Sequence, residues 1–81
     1  MKLPRDLGGE ELAVLLGRYG YAVTRQTGSH MRAESTLRGF EHHVTIPRHP
    51  SLRAGTLSAI LHEVAAYLEI ERHTLVEELF S

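Results

Sequence analysis

The period of the apolar residues changes twice along the chain, from helical to alternating and back, and that order admits few folds. Leu12, Leu15, Leu16 and Tyr19 fall at i, i+3, i+4 and i+7, one face of a helix expected from about Glu10 to Tyr19. Glu10 and Glu11 suit its first turn, and Gly20 stands where a left-handed cap is wanted. Gly17 inside it costs about 1 kcal/mol relative to alanine. Three short alternating stretches follow and predict strands over Tyr21–Arg25, Ser29–Ser35 and His42–Ile46, the last closed by Pro47. Leu57, Ile60, Leu61, Val64 and Leu68 then restore the helical period over about Thr56–Leu68, with Thr56 as N-cap. A last helix is expected over about Arg72–Phe80.

The alternation sets Tyr21, Val23, Met31, Ala33, Val44 and Ile46 on a buried sheet face. Ala22, Thr24, His30, Arg32, Glu34, His43 and Thr45 fall on the other. Gln26-Thr27-Gly28 reads as a three-residue hairpin loop, which sets Thr24 opposite His30. The longer link Thr36–Glu41 keeps the buried faces together if Arg32 pairs with Thr45 and Glu34 with His43. The expected fold is α+β: a helix, a three-stranded antiparallel sheet and two helices, with the helices on one face of the sheet and the other face open.

At 81 residues the chain has room for one domain, spanning 1–81, against the roughly 100–200 residues usual for each. With 42% hydrophobic and 23% charged residues it is too apolar for disorder and too charged for a membrane protein. It has no cysteine, so disulfides and thiolate zinc sites are ruled out. No apolar run approaches the roughly 18 residues of a spanning helix, and Met1–Leu7 lacks the apolar core of a signal peptide, which predicts a cytoplasmic protein with no membrane partner. The net charge of −1 conceals a split: eight basic against five acidic side chains in residues 1–55, one against five in 56–81. His30, His42, His43 and His49 lie in the basic part, which a polyanion would meet first.

Histidine takes and gives a proton near neutral pH. His30 follows a tight glycine turn on the open face, where a phosphodiester can reach it. A base that removes the proton of a ribose 2′-hydroxyl lets that oxygen attack the adjacent phosphate and expel the 5′-oxygen, a step that requires no metal. His30 is the candidate base, Arg32 the candidate cation for the phosphorane oxygens and His43 a candidate acid. An exposed strand histidine is otherwise an ordinary solvated residue. His42 and His43 are adjacent on a strand and point to opposite faces, which argues against a shared metal ion, and no cofactor is called for. Tyr21, Phe40 and Tyr67 do not make a base-stacking platform, and His62 and His73 read as solvent-facing.

Leu3-Pro4-Arg5-Asp6-Leu7, Gly20-Tyr21, Arg25-Gln26-Thr27-Gly28-Ser29-His30, His43-Val44-Thr45-Ile46-Pro47 and Gly55-Thr56-Leu57 together give a resemblance to the HicA family of mRNA interferase toxins. The resemblance implies a fold like that of double-stranded-RNA-binding domains and metal-independent RNA cleavage. It also implies a catalytic histidine in the Gly-Ser-His turn, here His30, and a HicB-type antitoxin as partner. On that footing Arg25, Ser29, Arg32, His43, Thr45, Arg48 and Arg53 are the expected contacts to mRNA. Two other readings keep the fold: a non-catalytic RNA-binding module, and a protein-interaction subunit using the open sheet face. The acidic stretch Glu69–Glu78 is longer than the shortest members of the family carry.

Overall fold

The computed structural model describes residues 3–81. Its order is α1 (Gly9–Leu16), a 3₁₀ turn (Gly17–Tyr19), β1 (Ala22–Thr27), β2 (His30–Ser35), β3 (His42–Pro47), α2 (Ala54–Leu68) and α3 (Arg72–Phe80). The strands form one antiparallel sheet in the order β1-β2-β3. This is the expected α+β arrangement. Leu12 and Leu16 of α1, Leu57, Leu61 and Val64 of α2 and Leu75 and Val76 of α3 are fully buried together with Ala33, Val44 and Ile46 of the sheet. Each such leucine contributes roughly 1.5–3 kcal/mol by leaving water. Among the described residues no helix is long and apolar enough to cross a membrane.

The helix termini differ from expectation in detail. The N–H of Gly8, the N-cap of α1, donates to Glu11 Oε1 at 2.8 Å, half of a capping box. The last residues of the predicted first helix tighten into the 3₁₀ turn, which Gly20 closes at φ +83°. The Tyr19 hydroxyl donates to the Glu78 carboxylate, fastening that turn to α3. Partial burial, with Glu78 beside it, pushes Tyr19 up to about 12. Helix α2 begins at Ala54 behind Arg53, so Thr56 is not its N-cap. An extended Arg53 backbone suffices to start the helix, with no side-chain cap.

The first hairpin differs more. Its turn is the two-residue Gly28-Ser29, since Thr27 pairs with His30, and the expected pairing of Thr24 with His30 is wrong. Gly28 at φ +56° takes the first central position, which type II′ turns reserve for glycine, and two-residue turns match the twist of the strands. The shorter turn shifts the parity of β1, and a bulge at Thr24 shifts it back: Val23 pairs with Ala33 but Arg25 with Arg32. Val23 therefore keeps the parity of the core face, yet it remains 43% exposed because β1 is an edge strand; its burial is the second correction.

The second hairpin has the expected register, with Arg32 across from Thr45 and Glu34 across from His43. Its long link is anchored from below. The buried Tyr67 hydroxyl donates to the Phe40 carbonyl at 2.6 Å and accepts from the Arg38 N–H at 2.9 Å. The His42 ring stacks on Tyr67 at 4.8 Å, and its Nδ1 lies 2.7 Å from the Tyr21 hydroxyl. Tyr21 and Tyr67 are thus core residues. Burial raises the Tyr21 pKa, so its hydroxyl keeps its proton.

Candidate active site

Three cross-strand rows make up the open face. Nearest the turn are Thr27, His30 and Pro47; next come Arg25, Arg32 and Thr45; last come Ala22, Glu34 and His43. Arg25, Thr27, His30, Met31, Arg32 and Thr45 line a shallow concavity of about 180 Å³. Four of these, Arg25, His30, Arg32 and Thr45, are among the site residues expected from the sequence, and His30 and Arg32 do share one surface. Arg25 reaches it because of the bulge, since simple continuation of the Tyr21, Val23 alternation would send it toward the helices.

His30 is exposed on the first residue of β2, with Ser29 Oγ 3.4 Å from its Nδ1, a long contact that leaves the ring accessible. The turn that presents it is tied to the rest of the fold through the main chain. The Arg48 N–H donates to the Ser29 carbonyl at 2.6 Å, and the Gly9 N–H donates to the His49 carbonyl at 3.0 Å. Gly9 approaches so closely that a Cβ there would lie 1.8 Å from the Pro47 carbonyl oxygen. The start of α1, the end of β3 and the His30 turn are therefore one mechanical unit.

Arg32 is held at two points. Its Nε donates to Glu34 Oε2 at 2.6 Å, and its Nη2 lies 3.2 Å from His43 Nδ1. A guanidinium only donates, so His43 Nδ1 is the acceptor in this contact. The Thr24 hydroxyl, with smaller contributions from Arg32 and Glu41, holds the Glu34 carboxyl below the ordinary carboxylate range, against the opposing effect of burial. Arg25 lies across from Arg32 and has no acidic partner among the described residues. Two arginines paired directly across strands repel, and an anion between them would relieve that repulsion.

The remaining expected residues are dispersed. His43 lies on the open face, but four residues along β2 separate its partner Glu34 from His30, a distance of about 13 Å. That spacing does not suit an acid that protonates the leaving 5′-oxygen of the same phosphodiester whose 2′-hydroxyl His30 would deprotonate. Arg48 pairs with Glu10 at 2.7 Å, and Arg53 sits at the N-cap of α2; neither lines the concavity. Thr45 lines it, and Ser29 is exposed in the turn beside it. His42 turns toward Tyr67 while His43 faces solvent, so the two rings diverge. His62 and His73 are exposed, as expected. Sequence reasoning gave Glu34 no role and missed the bulge; the one available signal was an arginine standing at core parity in β1.

Compared with known proteins, residues 9–65 match a family model described as the HicA toxin of bacterial toxin-antitoxin systems. The match runs from the first residue of α1 into α2 and takes in the whole sheet, including the His30 turn. Neither the curated proteins nor the solved structures returned a match.

Proposed function

This chain belongs to the HicA toxin family, the toxins of bacterial toxin-antitoxin pairs, and we propose that it acts as a metal-independent endoribonuclease on mRNA with His30 as its catalytic base. In this reading His30 takes the proton of a ribose 2′-hydroxyl. The 2′-oxygen forms a bond to the adjacent phosphorus, the bond from phosphorus to the 5′-oxygen breaks, and the departing oxygen takes a proton from water. The products are a 2′,3′-cyclic phosphate and a free 5′-hydroxyl. Arg25 and Arg32 face the charge that develops on the phosphorane oxygens. Ser29, Thr45, His43, Arg48 and Arg53 extend the contact to neighbouring nucleotides around the concavity.

The observation that carries this reading is the accessible His30 in one concavity with two arginines. Membership of the family supports an antitoxin partner. A HicB-type antitoxin that covers the open face would hold the enzyme inactive in the cytoplasm. The distance between His30 and His43 favours a second reading, a non-catalytic RNA-binding module, because among the described residues no second histidine and no carboxyl lines the concavity beside His30 to serve the leaving group. Induced expression of the wild type and of His30→Ala in cells lacking the antitoxin separates the two. Growth arrest with loss of intact mRNA from the wild type alone supports the nuclease; harmless expression of folded wild type supports the binding module.

A further inference from the structure

We propose that Glu34 is a positioning residue for the cleavage reaction, holding Arg32 in a fixed plane at the expense of RNA affinity; this rests on the nuclease reading above. A carboxylate on a surface that must receive a polyanion opposes binding, so its presence beside the concavity calls for a physical reason. The geometry supplies one. Glu34 Oε2 accepts from Arg32 Nε at 2.6 Å while His43 Nδ1 accepts from Nη2 at 3.2 Å, and two bonds to one planar group fix its orientation. The Nη1 amino group is left without a partner among the described residues, and Arg32 shares the concavity with His30. Thr24, the bulge residue, lines a second hollow with Arg25, Arg32 and Glu34, and its hydroxyl donates to the Arg32 carbonyl at 3.5 Å.

The two arginines thereby divide the work. Arg25, unpaired among the described residues, supplies net charge and draws the phosphate in. Arg32, neutralised by Glu34, adds little long-range attraction but presents N–H donors in one direction, and preorganised donors matter most when charge develops in the transition state. Glu34 therefore has opposite effects on binding and on rate, a signature that a merely structural residue does not give.

The test uses Glu34→Ala and Glu34→Gln. Binding to a short single-stranded RNA is measured across salt concentration in a His30→Ala background, and cleavage is measured at saturating RNA in the active background. Thermal melts establish that each variant is folded. Both substitutions are expected to tighten binding roughly threefold to tenfold at low salt and to steepen the salt dependence by about 0.7 in log–log slope. Glu34→Ala is expected to slow cleavage at saturation at least roughly tenfold, because misplacement of a positioning group is costly. Glu34→Gln, whose amide oxygen still accepts from Arg32, is expected to recover most of the rate. A folded Glu34→Ala that cleaves at the wild-type rate, or variants that bind no more tightly, overturn the proposal while wild-type cleavage leaves the nuclease reading standing. Wild type that cleaves no RNA overturns the nuclease reading and this one with it.

Discussion

Arg25 and Arg32 face each other across β1 and β2, two cations in direct cross-strand register on the open face of the sheet. The arrangement depends on Thr24, the extra residue that sets Arg25 on the side of His30. Glu34 compensates only Arg32, so the pair retains one uncompensated charge beside the concavity.

That residual charge leads to a prediction in which stability and binding part company. Arg25→Ala should leave the melting temperature unchanged or slightly raised, since it removes a like-charge pair. The same variant should bind single-stranded RNA roughly 3–10-fold more weakly at low salt and lose about 0.7 of log–log salt slope. Undiminished affinity with the wild-type slope would remove Arg25 from the interface.

At Gly9 the close approach to β3 leaves no space for a side chain. Gly9→Ala, with its Cβ placed 1.8 Å from the Pro47 oxygen, should destabilise the fold by about 1–3 kcal/mol or more in chemical denaturation. Because the same junction carries the His30 turn, RNA cleavage should fall even where the variant remains folded.

Gly17 predicts the reverse. Its backbone is already helical at φ −57°, and nothing lies within 4 Å of a built Cβ. Gly17→Ala should stabilise the protein by about 0.5–1 kcal/mol, read as a higher denaturation midpoint with unchanged RNA cleavage.

The Glu34 carboxyl gives a pH signature. Its pKa is lowered in the folded state, so ionised Glu34 stabilises the fold at neutral pH, and that contribution is lost as pH falls through the folded value. The stability difference between wild type and Glu34→Gln should therefore be constant above the ordinary value of 4.5 and shrink only below it. A difference that instead changed between pH 6 and 8 would assign the effect to a neighbouring histidine.

How far the sequence alone reached follows from what each signal depends on. The elements were legible because their apolar periods are strong, and the second hairpin's register was legible because its pairing sets Met31 across from Ile46 and Ala33 across from Val44, whereas a slip of one residue would turn one strand's apolar residues to solvent. The first hairpin was not, because two- and three-residue glycine turns are written almost alike and a bulge reverses parity without an apolar residue to mark it. His30 and Arg32 came through because β2 is regular. Arg25 was picked out as a phosphate contact, but not its place opposite Arg32. The role of Glu34 was invisible because a hydrogen-bond geometry, not a pattern, defines it.

The most direct test of the account is cleavage of a defined single-stranded RNA by purified wild type and by His30→Ala in the presence of a metal chelator. The substitution lies on an exposed strand position, so folding stability should change by no more than about 0.5 kcal/mol and RNA affinity should persist. Cleavage by the wild type to fragments with 2′,3′-cyclic phosphate ends is expected, and none by the folded variant. Equal cleavage by both proteins, or wild-type cleavage that requires an added metal ion, would contradict it.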